Sequence, residues 1–122
     1  MVSFKSFRYA FKGLKYVLNS ERNARLHLLL AILALAASVV LAIDLEEWLF
    51  VIISITLVFF AEIVNTAVEK TLDLISQENN QMVKLIKDMM AAAVLVTAFG
   101  AVIVAIVVFA PRVIALIQGA IR

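Results

Sequence analysis

The chain has 122 residues, of which 65% are hydrophobic, a formal net charge of +2 and a mean hydropathy of +1.07. This apolar share exceeds that of soluble domains, so the sequence excludes a water-soluble globular fold and predicts one all-α integral membrane domain over residues 1–122. The absence of cysteine and the presence of only three glycines exclude disulfides, thiolate metal sites and a Gly-rich phosphate loop. No pattern of basic and aromatic residues indicates nucleic-acid binding.

The first twenty residues place phenylalanine and leucine at intervals of three and four, with lysine and arginine mostly on the other side. This pattern predicts a basic amphipathic helix at 1–20 that lies on the membrane surface. The plainer alternative is a solvated charged helix with an apolar underside.

Three apolar stretches follow and are long enough to cross a hydrocarbon core of about 30 Å. They predict transmembrane helices at about 26–44, 47–72 and 83–110. An acidic turn at 44–47 separates the first two spans, and a polar loop at 76–81 separates the last two. Pro111 is expected to weaken or kink the end of the third span, leaving a short amphipathic tail.

Basic residues are distributed unequally about these spans. Six lysines and arginines precede the first span and three lie at the second loop, whereas the first loop has none. The positive-inside rule therefore places the N-terminus and the second loop in the cytoplasm.

The most unusual stretch is a polar row inside the second span. Glu62, Asn65, Glu69 and Asp73 are spaced three, four and four residues apart, which places them on one face of a helix. Polar groups at membrane depth are costly and are typical of functional sites. With the predicted topology, Glu62 lies near the cytoplasmic boundary, and Glu21, Glu78, Lys87 and Asp88 lie on the same side.

The segment before the first span is also polar. Asn19 or Ser20 is expected to cap a new helix, and Glu21 and Arg25 have the spacing of a pair on one helical turn. His27 has no second histidine or cysteine nearby, so we interpret it as an interfacial or hydrogen-bonded residue, not a metal ligand.

These residues are compatible with three functions. Carboxylates, an amide and a lysine are the groups needed to hold Mg²⁺ and phosphate and to accept a proton from a lipid alcohol, which indicates phosphoryl transfer from a nucleotide. The same row could form interhelical hydrogen bonds with a purely structural role. A proton or ion relay is the third hypothesis.

Several motifs together resemble the small prokaryotic diacylglycerol kinase family. The central one is EIVNTAVE at 62–69 followed by Asp73. YAFKG at 9–13, ERN at 21–23 with His27, and KDM at 87–89 with AAAVL at 91–95 resemble the family's other segments, in the same order. The resemblance covers nearly the whole chain.

The resemblance implies a homotrimeric kinase of the bacterial inner membrane that uses ATP and Mg²⁺ in cytoplasmic active sites shared between subunits. It implies that Glu62 is the catalytic base and that Glu21 and Glu69 hold the metal. Residues near the nucleotide or its phosphates would be Tyr9, Gly13, Asn65, Asp73, Glu78, Lys87 and Asp88.

The resemblance also bears on the lipid substrate. The ERN segment with His27 and EEWLF at 46–50 resemble the branch that phosphorylates undecaprenol more than the branch that phosphorylates diacylglycerol. Undecaprenol is therefore the expected acceptor and diacylglycerol the alternative. Asn80 stands where many members of the family have histidine, so the resemblance does not carry over the nucleotide contact expected at this position.

Overall fold

The computed structural model describes residues 3–76 and 79–121, and over these residues it consists of four α-helices. They are α1 (Phe4–Ser20), α2 (Arg22–Val40), α3 (Leu45–Ile75) and α4 (Gln81–Ile121). The last three are long and apolar enough to cross a membrane, which confirms the prediction of an all-helical membrane protein. Helix α1 occupies the segment expected on the membrane surface, and that location remains a prediction.

A sharp corner joins α1 to α2 through a single extended residue, Glu21 (φ −109°, ψ 117°). The Nη1 atom of Arg25 donates hydrogen bonds to the carbonyl oxygens of Leu18 (3.0 Å) and Asn19 (2.9 Å). Arg25 thus satisfies the free carbonyls at the C-terminus of α1 instead of pairing with Glu21. The expected cap by Asn19 or Ser20 is wrong, because Glu21 occupies the N-cap position of α2 and its side chain makes no capping hydrogen bond.

Helix α3 begins in the acidic segment that the sequence assigns to a turn. The Asp44 side chain accepts a hydrogen bond from the backbone N–H of Glu47 (3.0 Å) and so caps the helix. Glu46 and Glu47 lie in its first turn, where negative charge complements the helix dipole. The turn itself is at residues 41–44 and includes Ala42 at a φ of +50°.

Helix α4 begins at a cap formed by Asn80, whose Oδ1 accepts from the backbone N–H groups of Met82 (2.8 Å) and Val83 (3.4 Å). Asn80, which stands where many members of the family have histidine, thus caps the N-terminus of α4. The helix continues through Pro111 to Ile121, beyond the expected end of the span. Membrane helices tolerate proline where the freed backbone groups find other partners.

A hydrophobic core joins the three long helices at the end opposite the α1–α2 corner. Ile43, Val51 and Val108 form the buried core there. Beside it, Arg112 forms an ion pair with Glu47. Its Nη1 donates a hydrogen bond to Oε1 (3.0 Å) and lies 2.8 Å from Oε2. Most large apolar side chains of α2, α3 and α4 face outward, as expected for contact with lipid or another subunit.

Candidate active site

The polar row on α3 runs from buried to exposed along the helix. The side chain of Glu62 is almost fully buried, at 1% exposure, and Asn65 and Thr66 are buried beside it. One turn further, Glu69 is half-buried, and Asp73 is exposed. The sequence predicted that all of these residues except Thr66 share one face of the helix. The structure adds that this face becomes accessible to solvent from Glu69 onward.

Glu62 lacks the partners that a buried carboxylate normally has. Its nearest cationic or histidine side chain within the described residues is His27 on α2, whose Nε2 lies 3.9 Å from Glu62 Oε2, too far for a hydrogen bond. Glu62 Oε2 is buried and has no hydrogen-bond partner in the described part of the chain. Because buried polar atoms are nearly always satisfied, Glu62 Oε2 is open to a hydrogen bond from a group outside the described chain, such as water, an ion or a substrate.

Asn65 continues this site toward Glu69. Its Nδ2 atom lies 3.5 Å from Glu69 Oε1, at the outer limit of a hydrogen bond. Asn65 Oδ1 is buried and is also without a partner among the residues described. Thr66 donates its hydroxyl to the backbone carbonyl of Glu62 (3.0 Å), so it satisfies itself within α3 and leaves the carboxylate free.

The two carboxylates expected to hold a metal come from different elements. Glu21 is at the α1–α2 corner and Glu69 is on α3, two turns beyond Glu62. No group of three or more histidine, cysteine, aspartate or glutamate side chains with metal-site spacing occurs among residues 3–76 and 79–121. The expected donor set is thus two carboxylates, a number that suits Mg²⁺ because this ion typically takes one or two and completes its shell with water and phosphate oxygens.

Lys87 lies at the accessible end of this polar face. Its Nζ lies 2.9 Å from Oδ1 of Asp73, so the pair joins α3 to the first turns of α4. Asp88 is exposed next to it. Both members of the pair keep substantial contact with solvent, and an anion can reach Lys87 there.

The remaining expected site residues lie outside this cluster or outside the described residues. Tyr9 and Gly13 are exposed on α1, and no hydrogen bond or ion pair in the described chain joins the Tyr9 side chain to the Glu62 cluster. A Cβ atom at Gly13 would meet nothing within 4 Å, so the fold itself does not require glycine there. Glu78 lies outside the described residues.

Two residues near the site have contacts that were not predicted from the sequence. Arg25 fixes the corner that carries Glu21, and His27 faces Glu62. The signal for His27 was present in its spacing, since Ala24 and Ala31 are the buried positions three before and four after it on α2. The role of Arg25 had no signal, because its contacts depend on the tertiary corner.

Comparison with known proteins identifies the family. Residues 8–109 match the family model described as prokaryotic diacylglycerol kinase. The chain is 33% identical over 109 residues to an undecaprenol kinase from Bacillus subtilis (strain 168), with 89% of each chain covered. It is 35% identical over 100 residues to a diacylglycerol kinase from Synechocystis sp., covering 81% of this chain and 57% of the relative. It is also 33% identical over 99 residues to the diacylglycerol kinase of Escherichia coli (strain K12), with 81% of each covered.

The match includes the α1–α2 corner, the whole polar face of α3 and the first part of α4. It thus contains every described residue of the candidate site. The chain belongs to the prokaryotic diacylglycerol kinase family and is a membrane lipid kinase with ATP as its co-substrate.

Proposed function

We propose that this kinase transfers the γ-phosphate of ATP to undecaprenol and forms undecaprenyl phosphate and ADP. The relative from Bacillus subtilis, which is matched over 89% of both chains, is named for this acceptor. The observation that carries the chemical part is the buried, unpartnered Oε2 of Glu62, which lies next to a charged and accessible polar face.

In the proposed step, the hydroxyl oxygen of the lipid attacks the γ-phosphorus atom. A new O–P bond forms, the P–O bond to the β-phosphate breaks, and ADP leaves with that oxygen. The hydroxyl proton passes to Glu62 Oε2, which has no other hydrogen-bond partner in the described chain. The shielded location of Glu62 keeps water away from the reacting phosphate and favours transfer to lipid over hydrolysis.

The other residues position ATP. Lys87 is the cation within reach of a phosphate at the accessible end of the face, and Asn65 lies between it and Glu62 with a free amide oxygen. Glu21 and Glu69 would hold Mg²⁺, which supplies positive charge for the phosphate oxygens when bound. Tyr9, Gly13, Asp73, Glu78 and Asp88 are proposed to lie on the nucleotide side.

We further propose that the protein works in the inner membrane as a homotrimer, with α1 on the cytoplasmic surface. The excess of lysine and arginine before α2 and around the α3–α4 loop supports this orientation. The outward apolar faces of α2, α3 and α4 support association with other copies, because three spans are few for enclosing both a nucleotide and a lipid.

Diacylglycerol is the second candidate acceptor, because the relatives from Synechocystis and Escherichia coli are named for it. Membership in a kinase family favours either acceptor over the proton or ion relay considered from the sequence.

The test is a side-by-side assay with purified protein, radiolabelled ATP and either undecaprenol or diacylglycerol in mixed micelles. We expect faster phosphorylation of undecaprenol. Faster phosphorylation of diacylglycerol would assign the chain to that acceptor, and ion flux into liposomes without ATP consumption would support the relay.

A further inference from the structure

An apolar groove of about 260 Å³ runs between α2, α3 and α4. It begins at His27 and reaches the buried core at the far end of the bundle, where Val51 and Phe109 line it. On α4 it extends from Ala98 to Phe109, which is about 16 Å along the helix axis at 1.5 Å per residue.

The polar end of the groove adjoins Glu62. His27 lines the groove, and its Nε2 lies 3.9 Å from Glu62 Oε2. A hydroxyl oxygen at the usual distance of about 2.8 Å from both atoms would fit this gap, accepting from His27 and donating to Glu62. Val58, one turn before Glu62 on α3, also lines the groove and continues its wall from the carboxylate into the apolar part.

The groove is open because its walls contain alanine where larger side chains would fill it. Ala31 on α2 and Ala98, Ala101 and Ala105 on α4 all line the space. Its volume is below the range of about 300–1,000 Å³ that is typical of sites for drug-sized ligands. A groove of this size has room for part of a hydrocarbon chain.

The walls also offer few polar groups. His27 and Ser54 are the polar side chains that line the groove, and the Ser54 hydroxyl already donates to the carbonyl of Phe50 (2.8 Å). The ester carbonyls of a glycerolipid would lose their hydrogen bonds to water on entering such a groove, whereas a prenyl alcohol has no polar atom beyond its hydroxyl. The lining therefore favours the prenyl alcohol.

We propose that this groove is the acceptor subsite, that it takes the hydroxyl end of a single-chain prenyl alcohol, and that His27 positions the hydroxyl against Glu62. The inference rests on the proposed lipid kinase function and adds the residues that select the acceptor. His27 is a positioning residue in this arrangement, and Ala98, Ala101 and Ala105 set the width available to the chain.

The first test fills the groove. Ala101→Leu adds side-chain volume at its centre, and Ala36→Leu adds the same volume on the exposed side of α2, outside the groove. We expect Ala101→Leu to raise the KM for farnesol and undecaprenol roughly tenfold, the effect of crowding an apolar pocket by a few carbon atoms. The KM for ATP and the elution volume of the oligomer should stay as in Ala36→Leu.

The second test addresses His27. His27→Gln retains an N–H donor and His27→Leu does not, so we expect Gln to preserve most of the turnover that Leu loses, at unchanged KM for ATP. A farnesol analogue carrying a diazirine should label α4 between residues 98 and 105 in the unmodified protein, and excess undecaprenol should suppress the labelling. This measurement does not depend on the folding of any variant.

Four results would overturn the inference. Equal kinetics of Ala101→Leu and Ala36→Leu would show that the acceptor lies elsewhere, and labelling outside α2, α3 and α4 would show the same. Dissociation of the oligomer by Ala101→Leu alone would show that a second copy of the chain fills the groove. If the unmodified protein phosphorylates diacylglycerol but no prenyl alcohol, both the proposed acceptor and the groove assignment are wrong. If only the groove assignment is wrong, the unmodified protein still phosphorylates undecaprenol.

Discussion

Lys87 Nζ lies 2.9 Å from Asp73 Oδ1 and connects the last turns of α3 with the first turns of α4. Both side chains are more than one-third exposed, so the ion pair contributes less than about 1 kcal/mol to stability. Its main consequence is positional, because Asp73 holds the lysine near the accessible end of the polar face.

We predict that Lys87→Ala lowers kcat/KM for ATP on the order of a hundredfold, since a preorganised charge on a transferring phosphoryl group is lost. Asp73→Asn should have a smaller effect, because the lysine remains. The measurement is steady-state kinetics with varied ATP. The matched control is Lys84→Ala, which removes an exposed lysine from the same helix end. Equal activity of Lys87→Ala and Lys84→Ala would contradict a phosphate-binding role.

A second prediction concerns the corner that carries Glu21. Arg25→Ala removes both hydrogen bonds to the carbonyls of Leu18 and Asn19, so the direction of α1 and the position of Glu21 lose their constraint. We expect the Mg²⁺ concentration for half-maximal activity to rise several-fold, because a less constrained corner places Glu21 less often where it can hold the ion. Arg22→Ala, an exposed arginine one turn earlier, is the control. An unchanged Mg²⁺ dependence in a folded Arg25→Ala variant would contradict the proposal that Glu21 holds the metal.

The ion pair of Glu47 and Arg112 gives a prediction about stability. Breaking this part-buried, hydrogen-bonded ion pair by Arg112→Ala should lower the free energy of unfolding by about 1–3 kcal/mol. The activity of the folded fraction should be retained, because the pair lies at the opposite end of the bundle from Glu62. Denaturant titration in micelles measures the first quantity and the kinase assay the second. The charge swap Glu47→Arg with Arg112→Glu should recover part of the lost stability. If Arg112→Ala is as stable as the control Glu46→Gln, the ion pair contributes nothing to stability.

The membrane orientation can be tested directly, because the natural chain has no cysteine. Asn79→Cys places a thiol in the α3–α4 loop and Leu45→Cys places one at the exposed start of α3. An impermeant maleimide added to intact spheroplasts should label Leu45→Cys and should label Asn79→Cys only after lysis. The reverse pattern would put the polar face out of reach of cytoplasmic ATP.

Periodicity was enough to predict the helices and the shared face of α3. Glu62, Asn65 and Glu69 are spaced three and four residues apart, and helical geometry alone places them together. The burial of Glu62 beside the exposure of Asp73 needed the structure, because it depends on where α2 and α4 cover α3.

Contacts between elements were not predictable in the same way. Arg25 and Glu21 have the spacing of a helical pair, yet the chain turns at Glu21, so the arginine meets the end of α1 instead. Residues 46 and 47 looked like a turn because they are acidic, but the Asp44 cap places them in the first turn of α3, where the same charges favour the helix. In both places a tertiary or capping interaction outweighed the local pattern.

The turnover of Glu62→Gln tests the central claim most directly. Glutamine keeps the shape of the buried side chain but cannot accept the hydroxyl proton, and Glu46→Gln makes the same change on an exposed glutamate of α3. We predict that Glu62→Gln lowers the rate of undecaprenol phosphorylation by about 10²–10⁴-fold while the oligomer and ATP binding are retained. Turnover equal to that of Glu46→Gln would contradict the assignment of Glu62 as the base.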